Sequence, residues 1–181
     1  MLFKFNVNLT EKDYIRFNEF WALKSRYGKK QIIQFRVMLA IITILFHFLF
    51  RMRNVSWEDP WIDIITVAIL IAFIQAICKP IFRWSIRMNV KTLKKRGKMA
   101  YSATSELEFF EDILVETTPT NRTEQKYSAI EGISVVGDNV IYIHISTIGA
   151  YILPSSCFES SQQRQDLLEF LKTKCSTIDN Y

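Results

Sequence analysis

The sequence predicts an α+β membrane protein: a transmembrane helical hairpin plus a small antiparallel-sheet cytosolic domain closed by a C-terminal helix. Three observations carry that expectation. Two long runs, Val37–Phe50 and Trp61–Cys78, are almost free of charge. The hydrophobic period is two near the start of the chain and again after Gly97. A helical period returns at Gln162–Lys174, where Leu167, Leu168, Phe170 and Leu171 share one side. The length of 181 residues suits one large or two small domains, and only 5 Gly and 4 Pro exclude collagen-like and glycine-rich chains.

At the start of the chain, Phe3, Phe5, Val7 and Leu9 alternate with Lys4, Asn6 and Asn8, as in a half-buried strand. Thr10 is placed to cap a helix, with Asp13 three residues later. Tyr14, Phe17, Phe20 and Trp21 form its apolar stripe, and the helix is expected to end near Gly28. Residues 1–30 are thus a cytosolic strand and amphipathic helix. Met1–Asn8 lacks the layout of a cleavable signal peptide.

Residues 31–86 are read as the hairpin. Counted from Ile32 to Phe50, the first helix would rise about 28 Å, close to a hydrocarbon core of roughly 30 Å. Arg36 lies near its start and can snorkel to the headgroups. Trp57 and Trp61 fall where an interfacial aromatic belt would lie at the far side. Lys79, Arg83, Trp84 and Arg87 mark the return to the near interface, where Pro80 is expected to end or kink the helix.

Charge sets the expected orientation. Residues 1–36 carry a net +5 and residues 79–100 a net +8, whereas residues 101–181 carry −7. Only Arg51 and Arg53 lie between the spans. The positive-inside rule places both termini in the cytoplasm. Residues 87–100 then form a basic juxtamembrane linker, in which Lys91, Lys94, Lys95, Arg96 and Lys98 would attract anionic phospholipid headgroups. No aromatic stacking platform is interleaved with this block, so nucleic acid is not an expected partner.

Residues 101–181 read as the cytosolic domain. Leu107 and Phe109 alternate with Glu106 and Glu108, and Glu111-Asp112 turns the chain into a strand at Ile113 and Val115. Further strands are expected at Thr123–Tyr127, Ile133–Val136, Val140–Ser146 and Ala150–Leu153, the last stopped by Pro154. Gly137-Asp138-Asn139 and Ile148-Gly149 read as turns. The isolated strand at Phe3–Leu9 would join this strongly bent sheet, which makes the hairpin an insertion.

Two stretches resemble the YcxB-like family of bacterial membrane proteins. They are FKFNVNLTEKDYIRFNEFWALKSRYGKKQIIQFR and QKYSAIEGISVVGDNVIYIHISTIGAYILPSSCF. The family's phrases map here to Tyr127-Ser128-Ala129-Ile130 and to Ile152-Leu153-Pro154 with Phe158. The resemblance implies a plasma (inner) membrane protein with two spans and a cytosolic domain that is pleckstrin-homology-like. It implies no particular activity.

No catalytic, cofactor or metal site is expected. The three cysteines, Cys78, Cys157 and Cys175, form no CxxC, and Ser155-Ser156-Cys157 has no nucleophile elbow. The intramembrane polar residues are His47, Asp63 and Gln75. An antiparallel hairpin would bring His47 toward Asp63 and Gln75 toward Gln34. Ala68 and Ala72 present small residues four apart, suited to close packing within the hairpin or in a homodimer. The leading expectation is a non-enzymatic adaptor or regulatory protein that presents a protein-binding domain at the inner leaflet to a membrane or cytosolic partner. The alternative is an immunity protein that protects its producer from a bacteriocin or membrane-active toxin.

Overall fold

The computed structural model describes residues 1–53, 60–97, 102–146 and 149–181. Trp57, Lys98 and the expected turn at Ile148 lie outside them. The chain divides into two compact units, one of Met1–Phe17 with Thr92–Tyr181 and one of Asn18–Lys91.

The first unit holds two four-stranded sheets and a helix. Strand β1 (Phe3–Asn8) pairs antiparallel with β2 (Thr104–Phe109), followed by β3 (Ile113–Thr117) and β4 (Arg122–Lys126). Phe3 faces Phe109 and Phe5 faces Leu107, so the early strand joins the sheet built from residues beyond the helices. The alternation seen in sequence decides which side is buried: Phe5, Val7, Leu107 and Phe109 are each at most 1% exposed. The second sheet has the order β7-β6-β5-β8, from β5 (Gly132–Val136), β6 (Val140–His144), β7 (Ala150–Pro154) and β8 (Ile178–Asn180). The expected single bent sheet is therefore two sheets, and β8 is a strand the hydrophobic pattern does not announce.

Helix α4 (Ser161–Lys174) covers the shared core with Leu167 and Leu171, both fully buried. Ser160 caps it by accepting from the Gln163 amide at 3.1 Å. Phe5 packs on Phe109 and Phe158, and Phe170 packs on Phe3 and Tyr127. The Tyr127 hydroxyl donates to the carbonyls of Phe110 and Ile113 and so ties down the β2–β3 turn. Burial raises its pKa. Pro154 does not stop β7 but is its last residue, opposite Val140. β7 is an edge of its sheet, where the missing N–H is tolerated. Gly137, at φ 50°, supplies the left-handed turn between β5 and β6.

Helix α1 (Glu11–Leu23) begins with the expected box: Thr10 Oγ1 accepts from the Asp13 amide, and Asp13 Oδ2 accepts from the Thr10 amide at 2.9 Å. It ends at Leu23, not near Gly28. Helix α2 (Arg26–Arg53) starts a turn earlier than expected because Ser25 caps it, accepting from the Gly28 amide at 3.0 Å. Gly28 marks a close approach instead. A Cβ there would stand 2.1 Å from the Trp21 carbonyl oxygen. Helix α3 (Pro60–Lys95) continues through Pro80 and carries the basic segment in helical form to Lys95, with Gly97 at φ 64° just beyond.

Candidate membrane interface and interhelical polar site

Helices α2 and α3 are long and apolar enough to cross a membrane, over Gly28–Arg51 and Trp61–Lys95. Only 6% of the most apolar stretch of each is buried inside the protein. Phe46 is 70% exposed, Trp61 73% and Trp84 65%. Such continuous apolar surface is not the face of an ordinary soluble domain.

The two helices meet along a seam of half-buried positions. On α2 these include Arg36, Leu39, Ala40, Thr43, His47 and Arg51, three or four residues apart, as one helix face requires. On α3 they include Asp63, Val67, Ile71, Ile74 and Gln75. The seam gathers the polar residues of both runs except Thr66, which is exposed. At one end the Arg36 guanidinium donates to the Gln75 side-chain oxygen, and the Gln75 amide donates back to the Arg36 carbonyl at 3.1 Å. The described partner of Gln75 is therefore Arg36, not Gln34. Helical rotation turns position 36 into the seam and leaves Gln34 exposed.

At the other end Asp63 pairs with Arg51, and His47 Nε2 lies 3.6 Å from Asp63 Oδ1. The approach of His47 to Asp63 is as expected; the Arg51 contact was missed. The spacing of Arg51, four residues after His47 on the same helix face, was the available signal. His47 Nε2 is buried and accepts or donates no hydrogen bond among the described residues. Thr43 and Thr66 satisfy their hydroxyls on the carbonyls four residues back, each at 2.8 Å. Ala68 and Ala72 are exposed, off the seam, so they do not pack the hairpin itself.

Of the interfacial cations, Lys79, Arg83, Lys91, Lys95 and Arg96 are exposed. Arg87 pairs with Glu19 at 2.9 Å, and Lys94 pairs with Glu11 at 2.7 Å. Both pairs are largely solvated and contribute little to stability. They do reduce the net positive charge that the helix offers to an anionic surface.

In the sheet unit, Lys4 reaches across to Glu106 at 2.8 Å and Glu108 at 3.4 Å, so these carboxylates form a cross-strand ion cluster. Ser134 Oγ and His144 Nε2 are 2.9 Å apart on neighbouring strands. Ser134 is only 4% exposed, so this contact lies within the packed sheet face. Burial lowers the His144 pKa, against the smaller raising pull of Glu131 and Asp179. Phe17 packs on Tyr142 on the same outer sheet face, and burial pushes the Tyr142 hydroxyl up to about 12. Ser155, Ser156 and Cys157 form a single 3-10 turn, with the Cys157 thiol raised by burial.

These features define an α+β chain with two long apolar helices and a sheet unit closed by a helix. Residues 109–171, from the end of β2 to the last turns of α4, match the family model described as YcxB-like protein, and this stretch is YcxB-like. Comparisons with curated proteins and with solved structures gave no match.

Proposed function

We propose that the chain is a membrane-anchored, non-enzymatic adaptor: a two-pass hairpin in the bacterial plasma membrane that presents a pleckstrin-homology-like domain at the cytoplasmic face. The observation that carries this reading is the exposed apolar surface along α2 and α3, which water would penalise and lipid would cover. Cation placement supports the orientation. Lys24, Arg26, Lys29, Lys30, Lys79, Arg83, Arg87 and Lys91 flank one end, and Arg51 at the other is paired with Asp63.

The pairing of β1 with β2 supports it independently of charge. Strands that precede and follow the two helices share a sheet, so both flanks lie on one side and the crossings are even in number. The pleckstrin-homology-like reading draws on two antiparallel meanders, of four and three strands, closed by α4. Anionic phospholipid is the proposed surface partner, through the exposed Lys91, Lys95 and Arg96. Ala68 and Ala72 would be the close-packing face of a homodimer.

Native complexes purified from membranes in mild detergent, with co-purifying proteins identified by mass spectrometry, test the proposal. The expected result is a stoichiometric partner lost on deletion of Ser105–Tyr181 and kept in Asp63→Asn. A partner held by the helices alone would point to intramembrane recognition and overturn the adaptor reading. Recovery of the full chain in the soluble fraction would overturn membrane anchoring.

A further inference from the structure

We infer that the outer edge of β5 is a strand-addition groove for an extended peptide, held closed by the protein's own residues 177–181. This rests on the adaptor reading and names the class of partner: a peptide that runs parallel to β5 and carries one aliphatic side chain between polar neighbours.

The occupant's chemistry is written in β8. It pairs parallel to β5, with Ile133 opposite Ile178, Ser134 opposite Asp179 and Val135 opposite Asn180. Every other strand pair among the described residues is antiparallel. The Ile133 amide donates to the Thr177 carbonyl at 2.9 Å, and the Tyr181 amide donates to the Val135 carbonyl at 2.9 Å. The Gly137 amide donates to the Tyr181 carbonyl at 3.2 Å. Ile178 packs against the core, Asp179 and Asn180 are exposed, and Tyr181 is 37% exposed. The segment thus lies along β5 through main-chain hydrogen bonds, with Ile178 turned to the core, the usual means by which a peptide adds to a sheet edge.

The sheets treat their edges differently. β4 exposes Arg122, Glu124 and Lys126, charges that discourage pairing with another chain. β5, Gly132-Ile-Ser-Val-Val136, carries no charge at all. Its protection is β8, three residues long and in the slightly less stable parallel pairing. A segment so lightly held opens before the rest of the sheet, and each opening presents an uncharged strand to a competing peptide.

Two measurements test this on the purified full chain in detergent. In hydrogen exchange, the amides of Ile133 and Tyr181 are expected to exchange about 100-fold faster than those of β6, by local opening. Exchange of all of them in one global event would overturn the inference. The second uses a fluorescent peptide of residues 176–181, Ser-Thr-Ile-Asp-Asn-Tyr, and a chain that stops at Cys175. The shortened chain should bind it saturably, and the full chain about tenfold or more weakly, because its own segment competes. A peptide with Asp in place of the isoleucine should not bind. A folded shortened chain that ignores the peptide would overturn the inference. Should the shortened chain unfold, full-length Ile178→Asp takes its place: binding of the peptide supports the groove, and no binding or unfolding overturns it. Peptide binding by a chain that captures no protein from membranes would sink the adaptor reading and leave the groove; capture without peptide binding would do the reverse.

Discussion

Arg36 and Gln75 form a reciprocal pair across the two apolar helices, each side chain donating to the other residue, the amide at 3.1 Å. Neither has another described partner in the seam, so each satisfies the other where water is scarce. Gln75→Leu would remove the side-chain acceptor of the guanidinium and leave it only the main-chain carbonyl at position 75, 3.5 Å away, at a cost of about 1–2 kcal/mol. Arg36→Leu/Gln75→Leu removes both partners and should be more stable than Gln75→Leu alone. Thermal unfolding of the three proteins in detergent checks the order.

Gly28 is expected to tolerate no side chain. Its Cβ would meet the Trp21 and Ala22 carbonyl oxygens at 2.1 and 2.5 Å, and main chain cannot swing aside as a side chain can. Gly28→Ala should lower stability by about 1–3 kcal/mol. Gly97 has open space around it and needs only its positive φ, so Gly97→Asn should be close to neutral. Melting temperatures of the two variants separate a steric glycine from a conformational one.

Leu171 is fully buried under both sheets, whereas Leu168 is only partly buried on the same helix. Leu171→Ala should cost about 2–5 kcal/mol through lost transfer energy and a cavity. Leu168→Ala should cost clearly less. Denaturant titration followed by near-ultraviolet circular dichroism measures the difference.

The stability of the sheet unit should respond to His144. Burial holds its pKa below the ordinary 6.5, so the unfolded chain binds a proton that the folded chain refuses. The His144 contribution is whole above that value and is lost as pH falls through it. Glu116, whose pKa burial raises, acts in the opposite sense. The informative quantity is therefore the difference between wild type and His144→Gln. That difference should shrink between about pH 8 and about pH 5. A constant difference across the range would show that His144 has the same pKa in the folded and unfolded states.

Much of the sheet unit is legible because alternation is unambiguous when one face is buried. Phe5, Leu107 and Phe109 could occupy only the inner side. β8 is illegible for the converse reason. Ile178 stands alone among Ser176, Thr177, Asp179 and Asn180, and only the waiting edge of β5 makes that stretch a strand. Gly28 reads as a helix stop because sequence does not distinguish a glycine that ends a helix from one that lets two backbones touch. In the polar seam, residue types were visible but helix rotation was not. The sequence accordingly brings Gln75 toward Gln34, two residues from its partner Arg36, and places Arg51 simply between the spans.

The pairing of Lys4 with Glu108 spans 104 positions of the chain. At synthesis rates of about 5–20 residues per second, β1 leaves the ribosome on the order of ten seconds before β2 exists to receive it. Throughout that interval Phe3, Phe5 and Val7 have no sheet to enter. In the proposed two-crossing arrangement, both helices are made before the first strand finds its neighbour. In that arrangement, a chain in which only one of the two helices crossed would leave β1 on the opposite side of the bilayer from its sheet. In the proposed two-pass arrangement, completion of the sheet would therefore report that both helices have crossed, and a chain with a single crossing would present an unfinished sheet to proteases.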